Sequence, residues 1–116
     1  MDRACLHCAL GRALRAEAEA LSAHGLALHF ERTEPVWLPV PGMRLYRGLR
    51  RLLRQATTHG RPGVLKLAIL ALAGKSQVEV TAAVPVRGGT RVFAVAFPQY
   101  VPGMLARGFV EGVHPR

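Results

Sequence analysis

Asparagine is missing from this chain, and Asp2 is its only aspartate. No catalytic dyad or triad built on aspartate can form in the body of the chain. Only six glutamates remain to supply carboxylate oxygens, the usual ligands of a hard cation such as Mg²⁺. Ser22 and Ser76 are the only serines, and neither stands in a Gly-x-Ser-x-Gly setting. Aromatic residues make up 6% of the chain, which leaves little material for stacking on nucleic-acid bases. The two cysteines form a single Cys-x-x-Cys, Cys5 and Cys8. Two thiols are half of the four ligands of a structural zinc site. His7 lies between them and His24 is distant, so a full site would need dimerisation. A redox pair of this spacing is expected beside a βαβ pattern, and this one stands almost at the first residue. It reads as two reduced thiols near a helix start. No metal, cofactor or catalytic group is expected.

Long apolar runs are also lacking. Val64 to Ala73 is the most apolar stretch, and Lys66 interrupts it. It falls well short of the ~20 residues that span a bilayer. Residues 1–20 alternate charged and small side chains, unlike a signal peptide. The chain therefore reads as soluble and cytoplasmic, without a membrane partner.

What is present is apolar residues and arginine. Half of the 116 residues are apolar, enough for the core of one domain. The net charge is +9, and the only lysines are Lys66 and Lys75. Such a balance fits an anionic partner: nucleic acid, an acidic protein face or a phosphate-bearing ligand. It also fits an arginine-rich but merely solvated surface.

The apolar spacing organises the chain. Leu10, Leu14, Ala18 and Leu21 recur at three- and four-residue steps, which predicts a helix over 8–24 ended by Gly25. Leu26, Leu28 and Phe30 alternate with Ala27, His29 and Glu31, as in a half-buried strand. A proline-marked connection follows, with an extended piece around Val36 to Val40. Residues 43–58 give the clearest helix. At 100° per residue, Leu45, Leu49, Leu52, Leu53 and Ala56 fill one arc, with Tyr46 at its edge. Arg44, Arg47, Arg50, Arg51 and Arg54 fill the opposite arc, with no interleaved glutamate. His59 to Gly63 then stops the helix. Three antiparallel strands are expected next: Val64–Ala73, Gln77–Val84 and Thr90–Phe97. Turns fall at Gly74-Lys75-Ser76 and Arg87-Gly88-Gly89. The domain is expected over 1–98, with 1–7 a flexible start. Residues 99–116 read as a loosely docked tail with a short helix near Met104–Arg107.

In this order the chain resembles the ATPase domain of sensor histidine kinases, a fold shared with DNA gyrase and MutL proteins. The residues that carry the likeness are Gly25-Leu26-Ala27-Leu28-His29-Phe30, Arg51-Leu52-Leu53-Arg54-Gln55-Ala56-Thr57-Thr58-His59, and Gly88-Gly89-Thr90 through Pro98. The second resembles the family's N box, N-L-L-x-N-A-x-K-H. The third is similar to its closing G-G-T-x-F-x-x-x-L-P. The likeness spans roughly residues 8–98. It implies an α/β fold: a two-layer sandwich whose mixed, mostly antiparallel sheet is covered on one face by helices.

The departures fall where the family's chemistry sits. Its Mg²⁺-holding asparagine would stand at Gln55, one methylene longer, and the earlier asparagine at Arg51. Its adenine-reading aspartate should follow the second hairpin strand, where Ala82-Ala83-Val84-Pro85-Val86 has no carboxylate. Its glycine-rich lid is reduced to the few residues from Pro85 to Gly89. These losses argue against ATP hydrolysis or phosphoryl transfer, which depend on positioning and charge neutralisation. The expected function is a non-catalytic signalling or adaptor module that binds a protein partner, with Arg44, Arg47, Arg50, Arg51 and Arg54 as the partner or anion surface. A nucleic-acid binder using the same helix is the alternative, and residual nucleotide or anion binding is the third. A homodimer is compatible with a small sheet that has an exposed edge.

Overall fold

A computed structural model describes residues 3–31, 33–71, 77–99 and 114–115. The chain runs β1 (Ala4–Cys5), α1 (Leu6–Ala23), β2 (Leu26–Phe30), β3 (Trp37–Leu38), α2 (Gly42–His59), β4 (Gly63–Ala71), β5 (Gln77–Val86), β6 (Gly89–Pro98) and β7 (His114–Pro115). Among the described residues, β1 and β3 pair as a short antiparallel ribbon, and the other strands form one sheet in the order β2-β4-β5-β6-β7. Strands β2 and β4 are parallel, so β2, α2 and β4 form a βαβ crossover. The remaining pairings are antiparallel. The result is an α/β sandwich with a mixed, mostly antiparallel sheet.

Period-two alternation places the core. Leu65 and Leu67 of β4, Val78, Val80, Ala82 and Val84 of β5, and Phe93, Val95 and Phe97 of β6 share the face that packs on the helices. From α2, the expected apolar arc of Leu45, Leu49, Leu52, Leu53 and Ala56 is buried against them, and Tyr46 is half-buried. Helix α1 contributes Leu6, Leu10, Ala13 and Leu21.

Two differences from the sequence expectation concern the ends. Residues 4–7, expected as part of a flexible start, belong to β1 and the first turn of α1. The reason is Leu6, which is fully buried, with its N–H donated to the Val36 carbonyl at 2.8 Å. At the other end, His114 and Pro115 pair with Ala96 and Val95 of β6. The expected turn at Gly74-Lys75-Ser76 and the expected helix near Met104–Arg107 lie outside the described residues.

Helix α1 ends where expected. Gly25 has φ of 69°, and its N–H reaches the Ser22 carbonyl at 3.0 Å. The Gly25 carbonyl then accepts the Gly63 N–H at 3.0 Å, which ties this turn to the start of β4. Strands β5 and β6 are joined by Arg87-Gly88 alone, because Val86 already pairs with Gly89. This connection is shorter than the sequence suggested.

Candidate functional site

The site is built on the solvent face of α2. Five arginines lie along it because their spacing avoids the apolar arc that packs on the sheet. The helix rises ~1.5 Å per residue, so Arg44 to Arg54 is a stripe about 15 Å long. Arg47, Arg50, Arg51 and Arg54 line one open depression of about 620 Å³ together with Gln55. Arg44 lines a second of about 340 Å³, which shares Met43, Arg47 and Arg51 with the first. The structure therefore gathers every arginine singled out from sequence onto one continuous surface. Met43 is 54% exposed and marks the seam between the two depressions.

The stripe is not uniformly unpaired, and this corrects the picture of a purely cationic face. Glu17 of α1 is only 7% exposed and points at α2. Arg50 Nε donates to Glu17 Oε1 at 3.1 Å, and Arg54 Nε donates to the same oxygen at 2.7 Å. Arg50 Nη1 also donates to the Tyr46 hydroxyl at 3.2 Å. The Tyr46 ring lies under two guanidinium groups, those of Arg12 at 5.4 Å and Arg50 at 5.5 Å. These contacts, the Glu17 hydrogen bond above all, raise the Arg50 pKa above its ordinary value. Arg50 is thus a staple between the helices. Arg54 keeps most of its side chain in solvent.

Sequence reasoning missed Glu17, although a signal for it existed. Glu17 stands seven residues after Leu10, four after Ala13 and four before Leu21, all buried. The expected face of Leu10, Leu14, Ala18 and Leu21 is turned by about one position. Leu14 is only half-buried and Ala18 is exposed.

Arg47 and Arg51 differ from Arg50 and Arg54. Both are exposed, and neither side chain has a hydrogen-bond or ion-pair partner among the described residues. Gln55 lies one turn beyond Arg51. Its Oε1 is buried and has no hydrogen-bond partner among the described residues. The donor set around it does not suit Mg²⁺. The cation takes hard, mostly anionic oxygens in tight octahedral geometry. Here one neutral amide side chain lines a depression together with four arginines and no carboxylate, and Glu17 of α1 is already held by two of those arginines. At the far end, His59 stacks on Phe93 of β6 with ring centroids 5.5 Å apart, and the Arg91 guanidinium lies 4.7 Å from the same ring. The Ala82–Val86 stretch is strand β5 itself and leads straight into the two-residue turn.

No protein-family model and no curated protein sequence matches the chain. Solved structures do. The histidine kinase AdeS of Acinetobacter baumannii superposes with a TM-score of 0.59 at 15% identity, over 72% of this chain and 42% of that one. The catalytic domain of histidine kinase ThkA gives 0.59 at 14% identity, over 90% of this chain and 63% of that one. The mycobacterial sensor histidine kinase MprB gives 0.54 at 12% identity, over 89% and 59%. This is the fold of histidine-kinase ATPase domains. The chain spans about two-fifths to three-fifths of the length of these structures. Among the described residues, no helix is long and apolar enough to cross a membrane.

Proposed function

We propose that this protein is a cytoplasmic, non-catalytic signalling module that keeps the histidine-kinase ATPase-like scaffold and uses the α2 face to bind a protein partner. The observation that carries the reading is the contrast along one helix. Arg50 and Arg54 have a counter-charge built into the fold, whereas Arg47 and Arg51 do not. Like charges one turn apart destabilise a helix, so an open Arg47–Arg51 pair is better explained by an outside anion than by stability. The tight Arg87-Gly88 turn supports the non-catalytic half of the reading, because it leaves no lid between β5 and β6 to close over phosphates.

The partner's chemistry follows from the surface. Carboxylates would meet Arg47 and Arg51, and an apolar side chain would rest on Met43. A second copy of this chain is a poor occupant. Glu19, Glu31 and Glu34 are its only exposed carboxylates among the described residues, and another arginine stripe would repel this one. An acidic protein segment is favoured over nucleic acid, because Arg50 and Arg54 are already neutralised by Glu17, and the two rings that line the depression, Tyr46 and His59, are already engaged by Arg12 and Arg50 and by Phe93.

The test is fluorescence anisotropy with a labelled amphipathic peptide that carries glutamates one helical turn apart around a leucine. Binding is expected to weaken as salt rises and to vanish in the Arg47→Glu/Arg51→Glu variant. Tighter binding of a DNA duplex than of the peptide would replace this reading with the nucleic-acid one. Binding of neither would rule the α2 face out as a docking surface.

A further inference from the structure

The Cys-x-x-Cys acquires a specific geometry in the fold. Cys5 is the N-cap of α1, with extended backbone (φ −80°, ψ 119°), and Cys8 is the third residue of the helix. These are the two positions whose side chains turn toward each other in a capping box, where serine or threonine and glutamate usually stand. Cysteine is a poor cap, and Cys5 makes no side-chain capping hydrogen bond. The two thiols thus stand three residues apart at one helix start. Cys8 is held above the ordinary thiol pKa, first by its hydrogen bond with Cys5 and then by the charge of that neighbour. Residues three apart at a helix start have Cβ atoms about 5–6 Å apart. A modest shift brings that within the range a disulfide requires. Cys8 is exposed and Cys5 partly buried.

We propose that Cys5 and Cys8 are a redox modification site, a dithiol that small-molecule disulfides of the glutathione class convert reversibly to an intramolecular disulfide. Cys8 is the sulfur open to solvent, so it meets the oxidant. Cys5 beside it makes deprotonation of Cys8 harder and the attack slower; once formed, the Cys8 thiolate attacks one sulfur of the small disulfide and releases one thiolate. The Cys5 thiolate then attacks the Cys8 sulfur of the mixed disulfide and releases the second. The two protons of the protein thiols pass through solvent to the departing thiolates. Two protein thiols and one small disulfide thus become one protein disulfide and two small thiols. The loop closed is very short, and stabilisation by a cross-link grows with loop length. An exposed bond that adds little stability is readily reduced, which makes the pair a switch rather than a permanent brace.

The fold also supplies a reporter. Cys5 is the cross-strand partner of Trp37, the only tryptophan, in the β1–β3 ribbon. Facing residues in such a ribbon stand about 5 Å apart, and a disulfide at that range quenches indole emission. Oxidation would also fix the start of α1 against the ribbon, where Trp37 and Arg3 line a shallow depression.

The experiment treats the full chain with oxidised glutathione, quenches with acid, and counts thiols and mass. Both thiols should be lost, the mass should fall by two hydrogens, and the chain should stay monomeric on a non-reducing gel. Trp37 emission should drop, and dithiothreitol should restore both signals. Cys5→Ser should stop at one glutathione adduct on Cys8. Serine is a good N-cap, so that variant keeps its helix. Persistently free thiols, stable adducts on both cysteines, or disulfide-linked dimers would each overturn the assignment. Oxidised thiols with unchanged Trp37 emission would overturn the placement of the pair beside β3.

Discussion

At the residue scale, Glu17 and Gly25 decide the most. Glu17 is a buried carboxylate satisfied by two guanidinium groups, and removing its charge leaves Arg50 without its main partner. Glu17→Gln should lower the urea midpoint, and by more than Arg54→Ala, since Arg54 is largely in solvent and its pairing is screened. Chemical denaturation of the two variants side by side checks the order. Gly25 sits at positive φ, and a Cβ added there would stand 3.1 Å from Pro62 Cβ. Gly25→Ala should cost roughly 1–2 kcal/mol, the penalty of a left-handed non-glycine residue. His7 has a quieter role. Its Nδ1 accepts the Val36 N–H at 3.3 Å and its Nε2 donates to Thr33 Oγ1 at 3.0 Å, so it ties α1 to the connection before β3.

At the element scale, α2 serves both core and surface. Leu53 is fully buried, and Leu53→Ala should cost about 2–5 kcal/mol, read as a lower midpoint in urea. Arg47→Glu should act in the opposite direction. It places an acid one turn before Arg51, where the new pair should gain about 0.2–0.5 kcal/mol. The same change should abolish peptide binding. A variant that is more stable yet inert in binding is the signature of a residue kept for function. Most of this element was legible in the sequence, because 3.6-residue periodicity reports which side of a helix is wet. Glu17 was not, because a charged residue is taken for a surface residue until its counter-charge on another helix is known. The strands were legible to within about two residues. Strand β3 falls within the extended piece expected around Val36 to Val40, but its pairing with β1, and β1 and β7 themselves, were not legible: a two-residue strand has no periodicity to detect, and its existence depends on a distant partner.

At the scale of the whole molecule, the likeness to kinase ATPase domains resides in the order and packing of elements. The fold is shared at identities of only 12–15%, so the likeness carries the architecture and not a site. The fold class could be inferred because the order of elements, with the stretches Gly25 to Phe30, Arg51 to His59 and Gly88 to Pro98, resembles that family, and the resemblance implies the sandwich. The site was legible as a list of arginines and became interpretable only once the packing divided them into paired and unpaired. That division underlies the proposal that the α2 face serves an anionic protein segment instead of Mg²⁺-bound nucleotide. Thermal unfolding with ATP and with ADP, each with and without Mg²⁺, tests it most directly. A ligand at a hundred times its dissociation constant stabilises a fold by about 2.7 kcal/mol, a shift of several degrees for a domain of this size. Expected is no Mg²⁺-dependent shift at millimolar nucleotide. A clear upward shift that requires both nucleotide and Mg²⁺ would contradict it.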